Sequence, residues 1–172
     1  MTIRPIITAP DPRLKAVSKA VEKVDDEIRK LAADMLESMY AAEGIGLAAI
    51  QIGVAKRVIV MDLDQKDGGR KPRVFIDPKI LWASDETTVC QEGCLSVPDI
   101  WEDVERPTKI RAAWLDLQGK RVEEDAEGLL ATCLQHEMDH LEGILFLDHL
   151  SKLKRSIALR KLAKAKRLKE PA

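Results

Sequence analysis

The sequence predicts an α+β fold. Helical spacing of apolar residues occurs early in the chain and again from residue 128 onward, and the segments between them are typical of short strands. Helices and strands do not alternate regularly, so the pattern does not indicate a parallel βαβ sheet. The 172 residues, 45% of them hydrophobic, suffice for one substantial hydrophobic core and are too few to suggest two independent domains. We therefore expect a single domain over residues 1–172.

The first predicted helix spans residues 25–42. Its apolar side chains recur every three or four positions, which places them on one face, and Gly44 follows where a helix would end. That face consists of Ile28, Leu31, Ala32, Met35, Leu36, Met39 and Tyr40. An amphipathic helix is therefore expected here.

The middle of the chain contains four segments typical of strands. Residues 57–63 and 73–77 are rich in Val and Ile and are separated by the turn-forming stretch QKDGGRKP. The segments KIRAAWLDL and KRVEEDA flank Gln118 and Gly119, so we expect them to form a hairpin.

The second predicted helix, residues 128–141, carries the pattern His-Glu-x-x-His, and Gly143 follows as its expected terminator. Residues four apart lie one turn apart on the same helix face, so His136 and His140 can direct both imidazoles at one ion. Glu137 lies on the flank of that face. The opposite, apolar face consists of Leu130, Leu134, Met138 and Leu141. The helix is therefore expected to bind a metal on one side and pack into the core on the other.

A catalytic metal site of this type needs a third protein ligand and leaves one position for water, whereas a structural site closes with four ligands. Metzincin spacing would place the third ligand at residue 146, which is Phe. Glu170 lies in the lysine-rich tail, and His149 has no familiar spacing. Cysteine is the better candidate, and the sequence offers Cys90 and Cys94 upstream.

The third predicted helix begins at Ser151 and is strongly basic. Residues 151–172 contain nine Lys or Arg and one Glu, a charge of +8 that leaves −9 for the remainder of a chain whose net charge is −1. One interpretation is a solvated helix with a single apolar stripe, and the other is a segment attracted to RNA phosphate. The stripe would consist of Leu153, Ile157, Leu162 and Leu168.

The N-terminal stretch MTIRPIITAPDPRL has only a brief apolar patch, interrupted by Pro10 and Pro12. It matches neither a signal peptide nor a membrane span. Three cysteines, an odd number, argue against a disulfide framework. We therefore expect a cytosolic protein with no membrane partner.

Three motifs together resemble those of the peptide deformylase family. GIGLAAIQ at 44–51, EGCLS at 92–96 and QHEMDHLEG at 135–143 occur in the same order and with similar gaps, and the resemblance covers essentially the whole chain. It implies a small α+β fold in which strands wrap around the His-Glu-x-x-His helix and a basic helix, about residues 151–169, follows. It also implies removal of the formyl group from the N-terminal formyl-methionine of new bacterial polypeptides in the cytoplasm. Since these chains emerge from the ribosome, the basic tail is a candidate for ribosome docking.

The resemblance implies that Cys94, His136 and His140 bind one divalent cation, with water as the fourth ligand. The physiological ion of the family is usually Fe²⁺, and Zn²⁺, Ni²⁺ or Co²⁺ can occupy the site. A divalent ion lowers the pKa of bound water to about 7, which supplies a hydroxide to attack the formyl carbon.

The resemblance also assigns roles to five further residues. Glu137 is the general acid and base, which requires it to lie near the metal without binding it. The side-chain amide of Gln51 and the backbone N–H of Leu95 stabilise the oxyanion. Glu92 and Arg106 are expected either to pair behind the metal ligands and orient them, or to form an ordinary ion pair.

A peptide-binding cleft is implied as well. Ile45 and Gly46 meet the substrate, and backbone groups there and at Gly93 hold the peptide like an added strand. The wall of the methionine pocket is formed by Cys90, Leu129, Thr132 and Cys133. Relatives commonly carry apolar residues at the places of Cys90 and Thr132, so the pocket of this chain departs from the family pattern there.

Two other functions remain open at this point. One is a zincin endopeptidase that uses His136, His140 and a different third ligand, and cleaves unformylated peptides internally. The other is a binding module in which Cys90 and Cys94 complete a closed Cys₂His₂ structural site. In that module Glu137 would have no catalytic role.

Overall fold

The computed structural model of the protein describes residues 2–169. Within that range the chain forms three α-helices and seven strands, connected in places by short 3₁₀ turns. In chain order they are α1 (Asp26–Ala41), β1 (Gly46–Ala48), β2 (Val58–Met61), β3 (Arg73–Ala83), β4 (Thr87–Cys94), β5 (Val97–Pro107), β6 (Lys109–Leu115), β7 (Arg121–Glu127), α2 (Gly128–Leu141) and α3 (Lys152–Lys169). Helices at both ends of a strand-rich middle confirm the α+β prediction.

The main sheet has the strand order β1-β2-β3-β6-β7, and every neighbouring pair is antiparallel. β2 is buried on both faces: Val58 and Val60 pack with α1, whereas Ile59 and Met61 pack with residues of α2. A separate sheet consists of β4 and β5, a long hairpin whose side chains reach α2 from the other side. The central helix α2 therefore lies between the main sheet and the hairpin.

Helix α1 forms as expected, one residue shorter at each end than predicted. Asp25 caps it by accepting a hydrogen bond from the backbone N–H of Ile28 at 3.1 Å. The predicted apolar face packs on β1 and β2, with five of its members buried and Leu36 and Tyr40 partly buried. The sequence pattern did not indicate that two polar residues of this helix, Asp34 and Ser38, are also buried.

Asp34 connects the N-terminal segment to α1. Its carboxylate accepts hydrogen bonds from the backbone N–H of Thr2 and from the Arg4 guanidinium, both at 2.8 Å. The Thr2 hydrogen bond lowers the pKa of Asp34 from its ordinary value of 3.8, and Arg4 acts in the same direction against the effect of burial. We expect Asp34→Asn to lower the free energy of unfolding at pH 7 by about 1–3 kcal/mol, measured by urea denaturation at constant metal content.

The pH dependence of this contribution has a definite sign. Because folding lowers the pKa of Asp34, its stabilisation is present above pH 3.8 and is lost as the pH falls through the folded-state pKa. The difference between wild type and Asp34→Asn should therefore shrink in acid. As a control, Asp85→Asn in an exposed turn should change the unfolding free energy by less than about 0.5 kcal/mol. Equal stability of Asp34→Asn and wild type at pH 7 would contradict this role.

Helix α2 has the predicted bounds, Gly128 to Leu141, and its core side is buried through Ala131, Leu134 and Leu141. Gly143 follows the helix with φ of 73°, and a Cβ at this position would collide with the backbone carbonyl of Lys15. Glycine is therefore required both by the left-handed turn and by the close passage of the N-terminal segment.

The strands differ more from expectation. β3 continues to Ala83, six residues beyond the predicted end at residue 77, and residues 79–83 are exposed. The strands β1, β4 and β5 were not predicted. In β5 the buried residues are Val97, Ile100, Val104 and Arg106, which are irregularly spaced and include a charge, so the strand lacks the apolar alternation that identifies one.

Helix α3 confirms the third predicted helix, whereas the stripe assigned to it is wrong. Leu162 is buried together with Ala158, but Leu153, Ile157 and Leu168 are exposed. Ala158 and Leu162, one turn apart, thus provide the packing face, and the other three residues of the predicted stripe lie outside it. Glu170, part of the same predicted tail, lies outside the described residues. Among residues 2–169, no helix combines the length and hydropathy that a membrane crossing requires.

Candidate metal centre

Three predicted ligands come together where the β4–β5 hairpin meets α2. The ligand atoms of Cys94, His136 and His140 all lie within 4.8 Å of one another, and Cys94 Sγ is 3.3 Å from His140 Nε2. Cys94 is the last residue of β4, and the two histidines lie one turn apart on α2 with their ring centroids 5.1 Å apart. Within residues 2–169, Cys90 is outside this cluster.

The orientation of His136 is set by a buried ion pair. Glu92 accepts two hydrogen bonds from Arg106, at 2.7 and 2.9 Å, and its Oε1 also lies 2.9 Å from His136 Nδ1. This contact leaves Nε2 of His136 directed at the cluster. Burial alone would raise the pKa of Glu92, but the hydrogen bonds from His136 and Arg106 lower it to about 2. The expected pairing of Glu92 with Arg106 is confirmed, and Glu92 also orients the candidate ligand His136.

The same network extends to the protein surface. Arg106 Nη1 lies 2.8 Å from Asp139 Oδ2, and the exposed His149 places Nε2 at 2.8 Å from the same oxygen. His149 therefore pairs with Asp139 and is outside the ligand cluster. Phe146, at the metzincin ligand position, stacks on the His136 ring with centroids 6.0 Å apart.

Glu137 is buried beside the cluster. Its Oε1 lies 3.6 Å from His136 Nε2, and its Oε2 has no hydrogen-bond partner among the described residues. Burial raises the pKa of Glu137 to about 7. A buried carboxylate with an unsatisfied oxygen is costly, and a nearby cation would favour its ionised form. Gly46 passes close to this side chain, since a Cβ there would lie 3.4 Å from Glu137.

The donor set fits one transition-metal ion. Burial and the neighbouring His136 lower the pKa of His140 well below 6.5, so this ring is neutral and able to coordinate. Burial lowers the pKa of His136, but hydrogen bonds to Cys94 and Glu92 outweigh it and raise the pKa to about 10. A metal ion and a proton compete for such a nitrogen. Burial raises the pKa of Cys133 to about 12, which keeps this thiol protonated. One sulfur and two imidazole nitrogens match the ligands of catalytic zinc-type sites.

Gln51 is buried next to the cluster in a fixed orientation. Its Oε1 accepts a hydrogen bond from the Ala48 backbone N–H at 2.9 Å, and its Nε2 donates to Ser96 Oγ at 2.9 Å and lies 3.6 Å from Cys94 Sγ. The amide donor is therefore directed toward the ligands. Ser96 was not singled out from the sequence, although it belongs to the EGCLS motif.

The residues predicted to line the peptide cleft lie in and next to β1 and on β4. Ile45 is 43% exposed beside β1, and Gly93 lies on β4 under the ring of Trp101, where a Cβ would collide with the indole. Trp101 carries no motif signal and was missed by sequence reasoning. Leu95 packs against Gly44, since a Cβ added at Gly44 would lie 2.6 Å from Leu95 Cδ1.

The four expected residues of the methionine pocket are on β4 and α2. Cys90, Thr132 and Cys133 are partly buried, and Leu129 is 56% exposed at the start of α2. The three cysteines are free thiols. The assignment of these four residues to one pocket stays a prediction.

The Glu92 ion pair gives a measurable prediction. Glu92→Gln removes the negative charge that compensates the buried guanidinium of Arg106, and it weakens the hydrogen bond to His136. We expect the unfolding free energy to fall by about 3–5 kcal/mol, the typical cost of breaking a buried pair. Metal affinity, measured by competition with a chelator, should fall about 10- to 100-fold. The control is Glu102→Gln, at the opposite position in the hairpin register, where Glu102 pairs with exposed Lys154 at 3.7 Å. If both variants bound metal like wild type, Glu92 would not orient the ligand.

The fold and the site together define a class of protein. A helix with His-Glu-x-x-His, a third ligand from another element and a buried carboxylate beside them is the arrangement of metal-dependent hydrolases.

Comparison with known proteins identifies the family. The family model described as polypeptide deformylase matches residues 3–156, and the chain belongs to this family. The peptide deformylase of Phenylobacterium zucineum (strain HLK1) is 62% identical over 164 residues, which cover 95% of this chain and 97% of that protein. The crystal structure of the Ehrlichia chaffeensis peptide deformylase in complex with actinonin has a TM-score of 0.92 and 46% identity, and the match covers 97% of this chain and 99% of that one.

A second solved structure, a peptide deformylase from Legionella pneumophila, has a TM-score of 0.91 and 45% identity, with 99% of this chain and 100% of that chain covered. As a member of this family the protein is an amide hydrolase that removes the formyl group from nascent polypeptides. The family implies a single divalent metal ion, and the Cys94, His136 and His140 cluster is the candidate site for it.

Proposed function

We propose that Cys94, His136 and His140 hold the catalytic cation and that Glu137 transfers the proton during deformylation. The observation that carries this proposal is the cluster of one sulfur and two nitrogens within 4.8 Å, next to a buried carboxylate with an unsatisfied oxygen. Fe²⁺ is proposed as the physiological ion. Thiolate and imidazole also suit Zn²⁺, Ni²⁺ and Co²⁺, so availability in the cell decides among them.

When bound, the cation supplies Lewis-acid polarisation and makes water acidic enough to act as a nucleophile near pH 7. Glu137 accepts the proton of the attacking water on its carboxylate and delivers it to the departing amine nitrogen. The Nε2–H of Gln51 and the backbone N–H of Leu95 donate to the oxygen on which negative charge develops. Loss of one such donor typically costs about 10²- to 10³-fold in rate.

The peptide is proposed to bind as an added strand between two strand edges. Among the described residues, β1 pairs only with β2 and β4 only with β5, so each has one edge available. Backbone groups at Ile45, Gly46 and Gly93 would hold the substrate along these edges. The methionine side chain would enter the pocket assigned to Cys90, Leu129, Thr132 and Cys133. Its burial would contribute about 1.5–3 kcal/mol.

Matched formyl-methionyl and acetyl-methionyl peptides test this proposal. The protein loaded with Ni²⁺, or with Fe²⁺ under anaerobic conditions, should hydrolyse the formyl peptide and leave the acetyl peptide intact. An unformylated peptide of the same sequence should also remain intact. Internal cleavage of that peptide would instead support a zincin endopeptidase, and survival of the formyl peptide would refute the proposal.

We also propose that α3 docks on the ribosome in the cytoplasm, where formylated chains emerge. The basic residues described between Lys152 and Arg167 are exposed. Some of them form ion pairs, such as that of Arg155 with Asp148 at 3.1 Å. Clustered positive charge on one helix is attracted to RNA phosphate in a salt-dependent manner.

The docking test must leave the packing of Ala158 and Leu162 intact. A variant with Gln at Arg160, Lys161 and Lys164 should lose salt-sensitive co-sedimentation with ribosomes while it retains hydrolysis of free peptides. The matched control places Gln at exposed lysines elsewhere on the surface, namely Lys23, Lys79 and Lys120. Equal co-sedimentation of the two variants would refute docking through α3.

A further inference from the structure

Residues 44–46 form one wall of the proposed peptide cleft, called the wall below. Hydrogen bonds of its backbone are the main contacts that hold it in place. Ile45 is 43% exposed, so burial of its side chain does little to fix the wall. Gly44 N–H donates to the Met39 carbonyl at 2.9 Å, and the Ile45 carbonyl accepts from Asp62 N–H at 2.9 Å. One further contact, to the Gly44 carbonyl, comes from a side chain distant in sequence.

That side chain is Gln65, in the exposed loop between β2 and β3. Its Nε2 donates to the Gly44 carbonyl at 3.1 Å and to the Asp62 carbonyl at 3.0 Å. An amide nitrogen carries two hydrogens, so both are used by these carbonyls. Gln65 thus connects the end of β2 to the start of the cleft wall.

The loop that carries Gln65 is itself anchored. The buried Asp62 carboxylate accepts from the Tyr40 hydroxyl at 2.5 Å, from Asp64 N–H at 3.0 Å and from Lys71 N–H at 2.8 Å. Arg70 lies over the Tyr40 ring at 4.1 Å. Both ends of the loop are therefore tied to one carboxylate, which places Gln65 on a fixed support.

The wall contacts two of the residues to which the chemistry was assigned, Leu95 and Glu137. Gly44 packs against Leu95, since a Cβ there would lie 2.6 Å from Leu95 Cδ1, and Gly46 packs against Glu137. A displacement of the wall would therefore change the position of the peptide relative to the Leu95 N–H and to Glu137. Misplacement on this scale is costly in an active site.

We propose that Gln65 is a positioning residue for the peptide substrate: its amide fixes the Gly44–Gly46 wall against Leu95 and Glu137. The proposal rests on the proposed function, because it assumes that the peptide binds along this wall. Gln65 itself touches neither the substrate nor the cation. Its effect should therefore grow with the length of peptide that lies along the wall.

Gln65→Glu tests the proposal, because a carboxylate of the same shape cannot donate to the two carbonyls. The matched control is Gln118→Glu, the same charge change in the exposed turn of the β6–β7 hairpin. Full-length, metal-loaded proteins are compared for kcat and KM with formyl-methionine and with a formyl-methionyl tripeptide, together with metal content and Tm.

For Gln65→Glu we expect kcat/KM for the tripeptide to fall on the order of tenfold, mainly through KM, with a smaller loss for formyl-methionine and unchanged metal content. Gln118→Glu should match wild type. A kcat/KM within twofold of wild type, or an equal loss for both substrates together with a lowered Tm, would overturn the proposal. If wild type itself failed to hydrolyse the tripeptide, the proposed function would fail instead.

Discussion

The Glu137→Gln variant is expected to keep its metal and its fold and to lose about 10²- to 10⁴-fold in kcat, the usual contribution of a general acid and base. The amide has the shape of the carboxylate but can neither accept the proton of water nor deliver it to the amine. Because Glu137 is buried and its Oε2 has no partner among the described residues, removing its charge should not destabilise the protein.

Hydrolysis of a formyl-methionyl peptide and metal analysis of the same sample measure this prediction. Glu142→Gln is the matched control, because Glu142 follows α2 and pairs with Arg57 at 2.6 Å on the surface, away from the cluster. The control should retain wild-type activity. Full activity of metal-loaded Glu137→Gln would remove Glu137 from the mechanism.

The Cys94→Ala variant is expected to lose both metal and activity. Removing the sulfur leaves two imidazoles, which do not make a complete catalytic site. The loss of affinity should exceed the roughly 10- to 100-fold that follows from losing an outer hydrogen-bond partner of a ligand. Measured after dialysis, the metal content of wild type should be about one ion per chain and that of the variant close to zero.

Two further cysteine variants serve as controls for Cys94→Ala. Cys133→Ala removes a thiol that burial keeps protonated, and Cys90→Ala removes the thiol four residues upstream on the same strand. Both should retain the ion. If Cys90→Ala lost metal as Cys94→Ala does, the site would be a closed Cys₂His₂ centre, and the water position that hydrolysis needs would be absent.

The helices that build the site could be predicted from the sequence because their signals are local. Helical spacing and the glycines at 44 and 143 identified α1 and α2, and the spacing of His136 and His140 predicted a shared ion. The third ligand could not be derived in this way. Cys94 reaches the histidines only because the β4–β5 hairpin folds over α2, which is a long-range arrangement. Elimination of other residues favoured a cysteine, but only the resemblance of motifs chose Cys94 over Cys90.

The hairpin itself was missed for a related reason. Its inward face carries Glu92 and Arg106, which pair with each other and with groups of α2. Charged residues at inward positions interrupt the alternation that predicts a half-buried strand. The role of Gln65 was also hidden from the sequence. The stretch QKDGGRKP predicts only a turn, and the contact of Gln65 with Gly44 depends on the long-range antiparallel pairing of β1 and β2.

The central claim is that one sulfur and two imidazole nitrogens bind the cation and leave a position for solvent. X-ray absorption of the full-length, zinc-loaded protein measures these ligand atoms directly. We predict one sulfur at about 2.3 Å and two nitrogens at about 2.0–2.1 Å, with one further light atom in the remaining position. A spectrum that requires two sulfurs, or none, would contradict the account.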